Sequence, residues 1–217
     1  MPRSSQPARQ TPRSTERITY PAPPTPAAVA ERDELAVRAI LAGDQDRFEE
    51  LVRRHQKPII NFLQRMVGDY DLALDLSQDV FVRVYSSLHR YNPRYRFTTW
   101  LYRIASNCAI DHLRRRRPAV TSLDAPQMLA DGEVLPQAPG NDPDPARRLE
   151  GRERLARLER SVRKLPAEYR ELVLLRHCGH LSYEEMARVT RRPLGTVKNR
   201  LFRARDALRT LMEEEGC

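Results

Sequence analysis

Residues Leu181–Leu211, LSYEEMARVTRRPLGTVKNRLFRARDALRTL, constrain the fold more than any other stretch of the chain. They predict two helices meeting at a tight turn. Ser182 stands three residues before Glu185, the spacing of a capping box that satisfies two free amides at a helix start. Met186, Ala187 and Val189 supply the apolar side of this first helix. Pro193 suits the first position of the second helix, where its missing N–H costs nothing. The Thr190–Arg192 turn is as short as a helix-turn-helix requires. Placed at about 100° per residue, Val197, Leu201, Ala204, Leu208 and Leu211 gather on one side of the second helix. Lys198, Asn199, Phe202, Arg203 and Asp206 gather on the other. Arg and Lys can reach phosphates or guanine, Asn can pair with adenine, and Phe can touch a thymine methyl. An ordinary amphipathic hairpin with a solvated basic face has the same outline. The outward Phe202 favours a helix that reads DNA.

The charge balance agrees. The net charge is +9 and charged residues are 31% of the chain, which points to a polyanionic partner, nucleic acid ahead of an anionic membrane surface. Cys108, Cys178 and Cys217 show no paired spacing, so a reducing compartment is expected. No apolar run has the length of a membrane span. The N-terminus carries Arg and Pro without the apolar core of a secretory signal. The expectation is a soluble, cytoplasmic protein with no membrane insertion.

Along the chain, residues 1–30 hold seven prolines amid Ser, Thr, Ala and Arg, a disordered basic tail by composition. Helical patterning starts near Arg32. Gly43 followed by Asp44 suggests a helix stop and a new N-cap. Phe48, Leu51 and Val52 open the next apolar stripe. Pro58 should end or kink that helix before Ile59, Phe62, Leu63, Met66 and Val67 resume it. Further helices are expected from about Leu72 to Leu88 and from about Thr99 to Arg116, with no sustained strand alternation anywhere. Residues 118–146 then carry six prolines, five acids (Asp124, Asp131, Glu133, Asp142, Asp144) and no Lys or Arg. Such a stretch is unnatural inside a compact domain and natural as a tether. Helical signal returns at about Ala146. The predicted class is all-α: two small helical domains, 31–117 and 147–215, joined by an acidic, Pro-rich flexible linker at 118–146, the second with a helix-turn-helix. Solubility and stiffness account for the linker's acids; mimicry of nucleic acid in a partner's basic channel is the sharper alternative.

Two further patterns carry chemistry. Leu76, Val80, Val84 and Leu88 point one face of the third helix inward. Asp75, Gln78, Asp79 and Val82 share another, which suits docking to a basic protein surface or plain solvation. Phe81, Tyr85, Tyr91, Tyr95, Phe97, Trp100 and Tyr102 then crowd into one window, interleaved with Arg83, Arg90, Arg94, Arg96 and Arg103 and followed by Arg114–Arg117. Phe81 and Trp100 are expected in the core. Tyr91, Tyr95 and Phe97 lie in or beside a loop containing Asn92-Pro93. Flat rings among arginines form a platform for unstacked bases. Duplex DNA hides its base faces, so a platform implies strand opening or flipped bases.

DLSQDVFVRVY (Asp75–Tyr85), RFTTWLYRIASNCAIDHLRR (Arg96–Arg115) and LSYEEMARVTRRPLGTVKNRLFRAR (Leu181–Arg205) together resemble the bacterial extracytoplasmic-function (ECF) sigma factors of the sigma-70 family. The resemblance covers nearly everything outside the tail and linker. It implies an RNA polymerase specificity subunit that is not an enzyme and needs no cofactor or metal. It implies that Asp75, Gln78, Asp79 and Val82 dock on the β′ clamp helices of core RNA polymerase, with the β subunit a further contact. Tyr91, Arg96, Phe97, Trp100, Arg103, Asn107 and Arg114 then face the melted −10 element of promoter DNA. Arg191, Arg192, Thr196, Lys198, Asn199, Phe202 and Arg203 face the −35 duplex. Arg200, nearer the stripe edge, supports the domain or a phosphate. The linker matches a connector that threads towards the active-site cleft. An anti-sigma factor is an expected partner. Two departures stand out. The family usually has Gly and an apolar residue in the helix-turn-helix turn, where this chain has Arg191 and Arg192. Its capture loop often reads Phe-Arg-Gly-Glu/Asp-Ser, where this chain has Tyr91-Asn92-Pro93-Arg94-Tyr95-Arg96.

Two other functions compete. A conventional regulator could use the same hairpin on duplex sites as a symmetric dimer, which leaves Asp75–Asp79 and the aromatic window without a role. A metal site on His177, Cys178 and His180 would need adjacent ligands to converge on one ion, with Cys217 remote.

Overall fold

The computed structural model describes residues 25–116 and 145–214, and every regular element in them is helical. The proline-rich tail as far as residue 24 and most of the acidic linker, 117–144, lie outside the described residues. The helices are α1 (Pro26–Leu41), α2 (Arg47–Val67), α3 (Tyr70–Ser87), a single 3₁₀ turn (Leu88–Arg90), α4 (Phe97–Arg116), α5 (Pro145–Lys164), α6 (Ala167–His177), α7 (Tyr183–Thr190) and α8 (Leu194–Glu214).

Local signals set most of these bounds. α1 starts ahead of the expected position near Arg32, because Thr25 caps it, its side chain accepting from the Ala28 N–H at 3.3 Å, and Pro26 takes the first turn. The tail predicted for 1–30 therefore overruns the helix start. Gly43 does break the chain, at φ 109°, but the residue that precedes α2 is Asp46, without a side-chain cap bond, rather than Asp44. Pro58 neither ends α2 nor splits it; the helix runs on through it to Val67. The proline sits on the exposed side of α2, where the surrounding apolar stripe holds the helix in place despite one lost backbone bond. Gly68 ends α2 in the left-handed region at φ 85°, and Asp69 then caps α3 by accepting from Leu72 N–H at 3.0 Å.

α1–α4 pack around Leu51, Ile59, Phe62, Leu63, Met66, Val80, Val84 and Leu101. Asp33 is fully buried and ties α1 to α2: His55 Nε2 donates to Oδ2 at 2.9 Å and Arg54 Nη1 to Oδ1 at 2.5 Å. A buried carboxylate held by two donors is tolerated where a lone one is not. α5–α8 enclose a second set, Leu165, Leu172, Leu175, Leu181, Met186, Val189, Val197, Leu201 and Ala204.

These two sets form one continuous core, because α6 packs on α2 and α4, and α7 packs on α4. The seam between the halves is polar. Arg170 of α6, itself buried, donates to Met66 O of α2 at 2.6 Å and to Leu165 O at 3.0 Å, and closely to Arg163 O. Arg65 of α2 reaches Glu159 of α5 at 3.0 Å. On α4, Thr99 Oγ1 donates to Glu185 at 2.9 Å, Tyr102 OH to Cys178 O at 3.3 Å, and Ser106 Oγ closely to Glu171. Burial pushes the Glu171 carboxyl up, against the Ser106 hydrogen bond that favours its anion. Gly179 is required at this seam, since a Cβ there would stand 2.8 Å from Leu175 O and 3.4 Å from the Tyr102 ring.

Candidate nucleic-acid and polymerase-binding surfaces

α3 buries Leu76, Ser77, Val80, Phe81 and Val84 and leaves Asp75, Gln78, Asp79 and Val82 in solvent. The helical period thus places all four predicted docking residues on one exposed strip. Val82 is 67% exposed, an apolar side chain flanked by two carboxylates and an amide. A face of this kind fits a basic partner with a small apolar contact at its centre.

The aromatic window divides. Phe97 and Trp100, both placed in the −10 set and Trp100 also expected in the core, are only 2% and 8% exposed. Phe97 packs against His55 at 5.5 Å and Tyr91 at 5.9 Å, and Trp100 against Tyr91 at 5.6 Å. They are core in this arrangement, because α2 and the Tyr91 ring cover the start of α4. Tyr91 is half-buried, and its hydroxyl is pushed up to about 12 by burial and then by the nearby charges of Glu34 and Asp33. It donates to Tyr95 O at 2.5 Å, and Arg94 N–H donates to Asn92 Oδ1 at 3.0 Å, which shapes the loop before α4. Arg96, Asn107 and Arg114 are exposed and Arg103 half-buried. The cations and the amide of the predicted −10 set therefore face outward while its aromatic members form the scaffold beneath. Two rings of the window stay outside, Tyr85 on α3 and Tyr95 on the loop before α4, each 43% exposed, and Tyr95 was not among the predicted site residues. Its place beside Asn92-Pro93, a loop rather than a helix, is the sequence signal that marks it.

In the C-terminal half the capping box is formed as predicted: Ser182 Oγ accepts from Glu185 N–H at 3.2 Å, and Ser182 N–H donates to Glu185 Oε2 at 2.8 Å. Pro193 falls one position before α8, its carbonyl accepting from Val197 N–H at 3.1 Å. Val197, Leu201 and Ala204 are buried, whereas Lys198, Asn199, Phe202 and Arg203 are exposed and Thr196 half-buried. Phe202 is 73% exposed, an apolar side chain set among Lys198, Asn199 and Arg203 on the outward face.

The two turn arginines have different surroundings. Arg191 is exposed and left-handed, φ 54° and ψ 38°, the conformation in which glycine is the usual residue. Arg192 turns back and pairs with Glu168 of α6 at 3.3 Å, and Arg200 of α8 closes on the same carboxylate. Glu168, remote in sequence, thus clamps the turn of the hairpin and its second helix onto α6. We predict that Arg191→Gly raises stability by about 0.5–1 kcal/mol, the left-handed cost less the glycine entropy. A urea midpoint at or below that of the parent chain contradicts this.

The His177-Cys178-Gly179-His180 segment follows α6. The Cys178 thiol lies 3.7 Å from Arg65 Nη1 and burial pushes its pKa up, against the nearby Arg65 charge. A neutral thiol beside a guanidinium is a poor metal donor. Among the described residues no three His, Cys, Asp or Glu side chains are grouped to hold a metal ion, and no helix is long and apolar enough to cross a membrane.

The two helical halves have counterparts in known proteins. The family profile of sigma-70 region 2 matches residues 51–119, and that of sigma-70 region 4 matches residues 155–208. The chain is 33% identical over 189 residues to the ECF RNA polymerase sigma factor SigW of Bacillus subtilis (strain 168), covering 82% of this chain and 95% of that one. It is 36% identical over 183 residues to the RNA polymerase sigma-H factor of Pseudomonas aeruginosa, covering 82% of this chain and 92% of that one. Among solved structures, CnrH in complex with the cytosolic domain of CnrY superposes with a TM-score of 0.61 at 26% identity, over 84% of this chain and 98% of that one. With α2–α4 carrying the first region, α5–α8 the second, and relatives more than 30% identical matched over nearly their whole length, the chain belongs to the ECF sigma factors of the sigma-70 family.

Proposed function

We propose that this chain joins core RNA polymerase through α3, reads the −35 element as duplex with α8, and holds the −10 element as opened strand against α4 and the loop before it. The observation that carries this is the presence, on one chain, of an acidic docking strip and a helix exposing Lys198, Asn199, Phe202 and Arg203 together. A regulator acting alone has no use for the first of these. Asp75, Gln78, Asp79 and Val82 dock on the β′ clamp helices. Asn199 and Arg203 read base edges, Phe202 contacts a thymine methyl, and Lys198 and Arg191 take phosphates. Arg192 and Arg200 position the hairpin through Glu168. Arg96, Arg103, Asn107 and Arg114 hold the opened strand over the Phe97–Trp100 scaffold. The acidic linker between the two helical domains tethers them and threads towards the active-site cleft of the polymerase. The factor carries no catalysis of its own and works in the cytoplasm with the polymerase. A protein partner that holds it inactive is consistent with CnrH, solved with the cytosolic domain of CnrY.

Run-off transcription across a promoter library, with core polymerase plus this protein, tests the assignment. Promoter-dependent transcripts should appear only when both are present; a library on which no promoter opens overturns it. Within that assay, Asn199→Ala and Phe202→Ala should each relax the preference for the −35 sequence by roughly fivefold to a hundredfold, as loss of one good base contact does. Both side chains are exposed, so thermal melting should not move. Unchanged −35 preference in both variants means that the wrong face of α8 has been assigned.

A further inference from the structure

α7 lies directly against the loop that would capture the −10 strand. Arg188, on the exposed side of α7, places its guanidinium over the Tyr95 ring, 4.6 Å from the centroid. Beside it Glu185 accepts from Thr99 at 2.9 Å and lies 3.9 Å from Arg96 Nη1. A guanidinium is planar, delocalised and comparable in thickness to a nucleobase, and it stacks on aromatic faces for the same reasons. The half that reads the −35 duplex therefore covers one face of the exposed ring on the loop that takes opened strand.

This packing cannot persist on a promoter. Elements named for positions about 25 base pairs apart are separated by roughly 85 Å of duplex at about 3.4 Å per step. A compact body of this many residues has a radius of gyration of only about 17 Å. The two halves must part, and residues 117–144, at up to about 3.4 Å each, give the chain a reach on the order of 95 Å.

We propose that Tyr95 is the base-stacking residue of the −10 capture loop and that Arg188 occupies its face in the closed arrangement, excluding single-stranded DNA until the halves separate. The inference rests on the promoter-binding function above and adds to it a binding residue and its internal competitor. Glu185 is the hinge of the competition: it caps α7 through Ser182 and at the same time anchors α7 to Thr99, so the helix that presents Arg188 is fixed on α4. Separation frees the Tyr95 ring together with the Arg96 side chain beside it.

The test uses the whole chain, free of polymerase, and a fluorescein-labelled single strand of random sequence, about a dozen nucleotides long, since stacking on an aromatic ring tolerates any base. Arg188→Ala should bind this strand on the order of threefold to tenfold more tightly than the parent chain. That direction is diagnostic, because removing a cation that merely touched phosphate would weaken binding. In the Arg188→Ala background, where the ring is uncovered, Tyr95→Ala should lose about tenfold; in the parent chain, where the ring is occupied, it should change binding little. Tyr95→Phe and Tyr95→Trp keep a ring and should bind as the parent or better, which guards against a misfolded loop in the alanine variant. Equal or weaker binding by Arg188→Ala overturns the competition, and undiminished binding when Tyr95→Ala is added to Arg188→Ala overturns the stacking assignment. If the parent chain still directs run-off transcription from specific promoters, such failures fall on this inference alone; if it directs none, the promoter function itself has failed.

Discussion

Asp75→Lys combined with Asp79→Lys is expected to cost at least about a hundredfold in affinity for core RNA polymerase, with no change in melting temperature. Both carboxylates stand on the exposed strip of α3, one helical turn apart, flanking Gln78 and Val82. Their reversal leaves the buried stripe of Leu76, Val80 and Val84 untouched, so the fold has no reason to respond. The partner surface does. A basic face that meets two anions gains complementarity and orientation from them, whereas like charges set against each other at close range cost several kcal/mol. The loss should shrink as salt rises, because screening weakens repulsion between exposed charges. Titration of labelled protein with core polymerase at two salt concentrations reads both effects. Affinity within twofold of the parent chain at low salt would remove α3 from the interface. Val82→Ala, by contrast, should act without salt dependence, since it subtracts apolar contact alone.

The parts of this molecule that were legible beforehand are those whose cause is local. The capping box, the apolar stripe of α8 and the outward strip of α3 depend on residues within one or two turns of each other, and each is found where the helical period puts it. Phe97 and Trp100 show what that logic misses. Rings interleaved with arginines have the same pattern whether they form a platform or a floor, and the difference is made by α2, whose His55 comes from elsewhere in the chain, and by the way Tyr91 of the same window folds back over them. The turn arginines are a second case. Arg191 and Arg192 look alike in sequence, yet one is held in a left-handed turn facing solvent and the other is drawn to Glu168. α6 is the third. Its Arg170 and Glu171 would be placed on a solvated face by their chemistry, and both are buried, because the helix is packed between α2 and α4 on one side and α8 on the other. Two domains with a tether were foreseen from composition; a shared core between them was not, since nothing within either half announces it.

Arg170 is where that shared core is most vulnerable. Arg170→Ala should destabilise the closed molecule by about 3–5 kcal/mol, a large part of the 5–15 kcal/mol that holds a typical domain together. The guanidinium spans the seam, bonding Met66 O of α2 on one side and Leu165 O and Arg163 O after α5 on the other. Burial drags its pKa down to about 10, the mark of a cation kept from water, although it stays protonated at neutral pH. Truncation leaves three carbonyls without their donor, and each unmet buried acceptor costs on the order of 1–3 kcal/mol. Arg170→Lys should recover little, because a single ammonium cannot reach both sides of the seam as the planar fork does. Arg170→Met separates packing from bonding: it refills the space of the stem and restores no donor, so it should lie above the alanine variant by about 1–2 kcal/mol and still below the parent. Urea unfolding monitored by the single tryptophan, Trp100 on α4, reads the N-terminal half, and far-ultraviolet circular dichroism reads both. In the parent chain the two transitions should coincide. In Arg170→Ala they should separate, the circular dichroism change beginning at lower urea as α5–α8 come away first. A methionine variant as stable as the parent, with coincident transitions, would show that the seam is held by apolar contact and that Arg170 only fills it.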